Sequence, residues 1–243
     1  MDLSGLTSVQ AGALLGVRPV VVVPLGSTEQ HGELAPLSCD TAVAHAICRE
    51  AARAAGVCCA PPLPFGFSEC HTGFPGTVSL SANTLSLAVE DIVRSFVIHG
   101  ARVIVFLSGH GGNRRPVEAA LERLRPGHPG VRLEYMGYWN LPGAQELELK
   151  LFDGRSGFHA TAAEVSIYMH LFPEFIPAAG AVRQYPPSPS GPMTAEEWKA
   201  AYPDGPAGVD ARQASPAKGA ELFAFLCRSL ADVLSRMEGG SNV

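Results

Sequence analysis

Charge is scarce in this sequence: Asp, Glu, Lys and Arg make up 17% of 243 residues, and they sum to a net charge of −5. No basic stretch gathers anywhere, which argues against nucleic acid as a partner. No apolar run approaches the roughly 20 residues of a membrane-spanning helix. The opening Met1-Asp2-Leu3-Ser4 lacks the basic-then-apolar order of a secretory signal. A cytoplasmic location without membrane association is therefore expected. None of the six cysteines (Cys39, Cys48, Cys58, Cys59, Cys70 and Cys227) belongs to a C-x-x-C pair, so reduced thiols are expected rather than a disulfide framework. A phosphate-binding G-x-x-x-x-G-K-[ST] loop is missing, and so is any internal repeat. With 47% hydrophobic residues, the chain suits a single domain, 1–243, with a large core.

What is present begins with Val20-Val21-Val22-Val23, an unbroken β-branched run that suits a strand covered on both faces. Residues 1–18 are expected to form a short helix leading into it. A helix is expected over 41–55, stopped by Gly56, and a strand over 57–62. A helix capped by Ser81 or Asn83 should carry Leu85, Val89, Ile92, Val93 and Phe96 on one stripe. Strand 102–108, helix 114–124, strand 131–138, a mostly irregular 141–157 and helix 160–171 follow. Residues 173–216, rich in Pro and Gly, are expected to drape irregularly over the domain or a neighbouring subunit, and a helix over 217–237 closes the fold. Strand-then-helix order predicts an α/β fold in three α/β/α layers, with a mainly parallel sheet and right-handed crossovers.

In such sheets ligands bind beyond the carboxyl ends of the strands. The first strand runs into Gly26-Ser27-Thr28-Glu29-Gln30-His31-Gly32, and Asp40-Thr41 follows nine residues later. If the backbone is extended there, Glu29 and His31 point to one side, while Cys39 and Asp40 point to opposite sides. A second apolar strand ends at Gly109-His110-Gly111-Gly112-Asn113, and Gly157-Phe158-His159 precedes Glu164. Carboxylates and imidazoles at several element ends make a plausible shell for Zn²⁺, Mn²⁺ or Fe²⁺. His159 and Glu164 can reach one site only if His159 lies in the entry loop and Glu164 in the first turns of the helix. The loop 64–77, with Ser68 and His71, is a candidate pocket wall, although its glycines and Pro75 serve equally well as turn formers. Gly111 and Gly112 allow close approach of backbone to a ligand. Cys39 and Cys70 lie beside these residues, as core or as ligands.

These segments, together with Phe74-Pro75-Gly76-Thr77 and His159-Ala160…Glu164…Ser166, resemble in order the motifs of the creatininase (creatinine amidohydrolase) family. The resemblance implies a homo-oligomer, hexameric by the family's habit, hydrolysing a small-molecule or short-peptide amide with metal-activated water. It implies two divalent metals per subunit, bridged by Asp40, with Glu29 and His110 on one and His31 on the other. Glu164 becomes a ligand of the second metal or a general base. His159 becomes the general acid for the leaving nitrogen, or a partner of a liganding carboxylate. Ser68, His71 and Gly111 become substrate-binding candidates.

Departures bear on the substrate. Creatinine-hydrolysing members carry a glutamate where this chain has Gly112, and an aromatic where it has Arg155; Leu34-Ala35, Thr161 and Val165 also differ. Creatinine is accordingly disfavoured. The branches acting on formamides or on the mycofactocin precursor peptide are closer in Gly-His-Gly-Gly-Asn, and a metal-binding scaffold without catalysis is the alternative.

Overall fold

The computed structural model describes residues 1–154 and 156–238, which leaves the expectation at Arg155 outside the described residues. Four strands form one parallel sheet in the order β2-β1-β3-β4, with β1 at Val20–Leu25, β2 at Cys58–Cys59, β3 at Val103–Ser108 and β4 at Arg132–Gly137. Eight α-helices are described: α1 (Ser8–Val17), α2 (Cys39–Ala55), α3 (Ala82–Ile98), α4 (Arg114–Leu124), α5 (Ala144–Leu151), α6 (Ala162–Leu171), α7 (Ala195–Ala201) and α8 (Pro216–Glu238).

Every residue of β1 and β3 is buried, but alternate residues go to different cores. Val20, Val22, Val103, Val105 and Leu107 face a core built with α2, α5, α6 and α8. Val21, Val23, Leu25, Ile104 and Phe106 face a second core built with α1, α3 and α4. This is the three-layer α/β/α arrangement. Burying each such side chain contributes about 1.5–3 kcal/mol, against a spread of about 1 kcal/mol in strand propensity. Packing on two faces therefore fixes β1, and it explains why the run carries no polar alternation.

The departures from expectation have local causes. The strand expected over 57–62 stops at Cys59, because Pro61 and Pro62 bring no N–H to the ladder. Two isolated bonds, from Ala60 N to the Val22 carbonyl and from Leu63 N to the Pro24 carbonyl, carry the chain onward beside β1. α2 starts at Cys39 rather than 41, so Cys39 and Asp40 open a helix and are not extended. α6 starts at Ala162 because Ala160 has a φ of 56°, and Thr161 caps the helix. Residues 141–157, expected as mostly loop, contain the two-turn α5, whose Leu147 and Leu151 pack against the α8 side of the core. α7 lies inside the segment expected to be irregular. There Thr194 and Glu197 form a capping box, in which each side chain bonds the other residue's backbone N–H. No described helix is long and apolar enough to cross a membrane.

The β1–β3 ladder pairs Leu25 with Ser108, so the segments that leave these strands emerge side by side at one edge. Asn113 fastens that edge. Its side-chain amide donates to the Gly26 carbonyl at 2.9 Å and its side-chain oxygen accepts from Phe67 N at 2.9 Å. The first turn of α2 presses against the same edge: a Cβ at residue 109 would sit 2.2 Å from the Asp40 carbonyl oxygen, so only glycine fits there.

Candidate metal centre

Glu29, His31, Asp40, His110, His159 and Glu164 are brought together, all at most 9% exposed. Three overlapping groups have ligand atoms within 4.8 Å of one another: Glu29 with Asp40 and His110, His31 with Asp40 and Glu164, and Glu29 with His31 and His159. Asp40 joins the first two groups, with Oδ1 3.0 Å from His31 Nε2 and Oδ2 3.5 Å from His110 Nδ1. His110 Nδ1 also lies 3.0 Å from Glu29 Oε2, and His159 Nδ1 lies 3.6 Å from Glu29 Oε1.

Main-chain carbonyls aim the imidazoles. His31 Nδ1 donates to the Glu29 carbonyl at 3.1 Å, His110 Nε2 to that of Phe67 at 2.9 Å, and His159 Nε2 to that of Gln30 at 2.7 Å. The opposite ring nitrogen of each therefore points into the site, where it presents a lone pair once deprotonated, the arrangement in which outer hydrogen bonds orient metal-binding histidines. His159 sits in the loop before α6, and Glu164 is the third residue of the helix. Its Oε2 accepts from Thr161 N at 2.8 Å and closes a capping box.

The electrostatics call for a cation. Burial pushes the Glu164 carboxyl up to about 7, helped by Asp40 and Glu29 and opposed by His31. Burial and the Glu29 charge also raise Asp40. Burial alone would depress His31 and His110; the facing carboxylates overcome it and hold them at about 10 and about 9. Protons thus stand where a cation would, and metal uptake must release them, so affinity falls as pH falls. His31 Nε2 and Asp40 Oδ2 are buried and make no well-directed hydrogen bond, although each faces an opposite charge, at 3.0 Å from Asp40 Oδ1 and 3.5 Å from His110 Nδ1 respectively. Two such atoms in adjoining ligand groups, in an all-oxygen-and-imidazole donor set, fit divalent Zn, Mn or Fe.

The remaining sequence candidates sit around this cluster. Ser68 Oγ donates to Glu29 Oε2 at 2.5 Å and so steadies a ligand candidate. His71 is buried and stacked on His159 at 4.1 Å between ring centroids. Gly111 is exposed at the rim. Cys39 is fully buried in the apolar core and belongs to none of the ligand groups. Cys70 packs against Trp198 and Tyr202. Gly112 has no room for a side chain, since a Cβ there would lie 2.4 Å from both His110 Nε2 and the Phe67 carbonyl. The hydrogen bond that aims His110 therefore excludes a residue-112 carboxylate in this backbone, and Glu164 is the carboxylate beside His31 and Asp40.

Two contributors were not read from the sequence. Gln30 bridges site histidines, and Trp198 of α7 stands edge-on to His71 at 4.5 Å and to His159 at 5.5 Å. The Thr194-x-x-Glu197 spacing, not read as a cap in a segment expected to be irregular, could have marked the helix, but only tertiary contact reveals what Trp198 covers. An open hollow of about 800 Å³ beside α7, lined by Pro192, Met193 and Tyr202 among others, shares no residue with the ligand groups.

Comparison with known proteins gives the same frame. The creatinine amidohydrolase family profile matches residues 4–234. Mycofactocin precursor peptide peptidase from Mycolicibacterium smegmatis is 41% identical over 128 residues, which is 50% of this chain and 51% of that protein. This match thus spans about half of the peptidase's length. Creatinine amidohydrolase from Pseudomonas putida is 29% identical over 230 residues, 88% of each chain. A crystal structure of creatininase superposes with a TM-score of 0.84 at 26% identity, covering 99% of this chain and 98% of that one. Zn-Zn and Mn forms of creatininase superpose comparably. A profile match over nearly the whole length and a shared fold lead to one conclusion: the chain belongs to the creatininase (creatinine amidohydrolase) family.

Proposed function

We propose that this protein is a metal-dependent hydrolase of a C–N amide bond in a formamide, a cyclic amide or a short peptide-like substrate. The observation that carries the reading is Asp40, buried and shared between two groups of ligand atoms, with one of its oxygens making no hydrogen bond. Glu29, Asp40 and His110 would hold one divalent ion, and His31, Asp40 and Glu164 the other. Bound there, such ions polarise an amide carbonyl and make water nucleophilic near neutral pH.

The proton work falls to this chain. His159, neutral and with its lone pair on Nδ1, takes a proton from the attacking water and gives it to the departing nitrogen. The products are a carboxylic acid and an amine. Burial, then the neighbouring His71 and His31, hold His159 well below the ordinary histidine value, which keeps it in the form that accepts a proton. Similarity to a mycofactocin precursor peptide peptidase favours peptide-like over creatinine-like substrates, as does the absence of a carboxylate at residue 112. A homo-oligomer built of single-domain subunits is part of the same reading.

The test is a panel of formamides, cyclic amides and short peptides, offered to metal-loaded protein. Turnover on at least one class, lost with chelator, is expected. His159→Ala should retain metal and fold while turnover drops by about 10²–10⁴, the usual worth of a positioned acid–base group. Metal-bound, folded protein with no turnover on any class would favour the non-catalytic scaffold.

A further inference from the structure

Four histidines face the candidate centre, and one of them is wired in reverse. His31, His110 and His159 each donate their outer ring N–H to a main-chain carbonyl, which can only accept. The outer nitrogen of His71 instead meets only a donor, because its Nδ1 lies 3.1 Å from Gln30 Nε2. His159 Nε2 lies 3.0 Å from the same amide, but its 2.7 Å contact with the Gln30 carbonyl, which can only accept, requires it to carry the N–H and leaves the amide hydrogen to His71. The Gln30 amide cannot be turned round. Its Oε1 accepts from Gly32 N at 2.9 Å, and its Nε2 donates to the Gly205 carbonyl at 3.3 Å. Two backbone groups of opposite character fix which end is which.

Gly205 also has to be glycine, with a φ of 101° and a would-be Cβ 1.9 Å from Gln30 Oε1. Trp198 Nε1 donates to the same Gly205 carbonyl at 3.1 Å, which ties the α7 segment to this amide. The His71 ring is held in place by stacking on His159 and by the edge of Trp198.

We infer that Gln30 is a positioning residue that sets the protons on the stacked pair, so that His71 offers an Nε2–H to the site while His159 offers a bare Nδ1. The inward Nε2 of His71 lies 3.7 Å from Glu29 Oε1, too far for a firm hydrogen bond. That N–H is therefore left for a substrate. An amide oxygen gains negative charge as its carbon is attacked, and an uncharged donor beside it stabilises that charge without moving. The pair thus divides the labour: His159 handles the proton, and His71 binds the carbonyl oxygen. This division rests on the proposed hydrolysis, whereas the protonation pattern does not depend on it.

The experiment uses the full chain labelled with ¹⁵N-histidine, metal-free and Zn-loaded, with the His71 signal identified by its absence in His71→Phe. Wild type should show His71 protonated on Nε2. Gln30→Glu, which presents only acceptors, should move that proton to Nδ1; Gln30→Met, which removes the donor without adding charge, should abolish the preference. In the loaded enzyme, Gln30→Glu and His71→Phe should each lower kcat by about 10²–10³, the worth of one such donor, with KM and metal content near wild type. His71→Gln, which again supplies an N–H, should recover part of the loss. A wild-type His71 protonated on Nδ1 overturns the inference, and that reading needs no variant to fold. Loss of metal from His71→Phe overturns it too, since His71 would then merely support Glu29. If no amide turns over, the proposed hydrolysis fails while the spectra still decide the wiring.

Discussion

Asp40→Ala should strip metal from both proposed positions at once, while Cys39→Ala, one residue away, should keep it. Asp40 contributes Oδ1 near His31 and Oδ2 near His110, so its removal takes a ligand from each group. It also takes away a negative charge that the facing imidazoles, or two dications, require. Metal affinity should fall by more than the roughly 10–100-fold that follows loss of an outer hydrogen-bond partner. Turnover should fall to background. Cys39 is buried against the α2–α8 side of the core, about 100° round the helix from Asp40. Trimming its sulfur should cost about 1 kcal/mol of burial. Metal stoichiometry and circular dichroism on both variants decide the matter. A folded Asp40→Ala with full metal, or a Cys39→Ala that loses it, would contradict the arrangement.

The second large effect is expected at Glu164, where two roles can be separated by choice of substitution. Glu164→Gln keeps an amide able to reach back to Thr161 N, so the capping box of α6 should persist. It removes the negative charge facing His31 and Asp40. One ion should be lost, the other retained, and turnover should fall by at least about 10², the loss that follows removal of a single charge-stabilising group. Stability of the metal-free form should barely change. Glu164→Ala should lose the same ion and the cap as well, about 1 kcal/mol, seen as a Tm lower by about 2–4 °C for a chain of this size. Equal metal content in wild type and Glu164→Gln would show that Glu164 is not a ligand and leave it the role of a base.

Much of this site could be read from the chain because each ligand candidate follows a strong local signal. Val20 to Val23 can only be a strand buried on two faces, and the strand's end fixes where Glu29 and His31 emerge. The apolar run before Gly109 does the same for His110. Gly157 announces a turn ahead of the helix, which leaves His159 in the entry loop and Glu164 in the first turns, whereas the cap at Thr161 came only with the structure. Where the reading stopped short, the decisive contact was remote in sequence. Gln30 looks like a neutral spacer between two ligand candidates until Gly205, 175 residues later, fixes its amide. Trp198 sits in a stretch whose prolines and glycines read as irregular, and its edge reaches His71 only after residues 173–216 fold back. The early start of α2 was not read from the sequence, and in the structure Ser38 ahead of it makes no side-chain capping bond. The absence of a carboxylate at residue 112 was legible at once. Its physical reason, the His110–Phe67 hydrogen bond that fills the space, was not.

The shared carboxylate of Asp40 is the centre of the account, and the metal content of the wild-type protein tests it most directly. Protein purified without chelator, then stripped and reloaded with Zn, Mn or Fe, should bind two ions per chain. Uptake should release protons, as His31 and His110 give up the ones they hold near neutral pH. Two bound ions per chain, lost together in Asp40→Ala, is the predicted result; a wild-type protein that binds no divalent metal, or one ion that Asp40→Ala leaves in place, would contradict it.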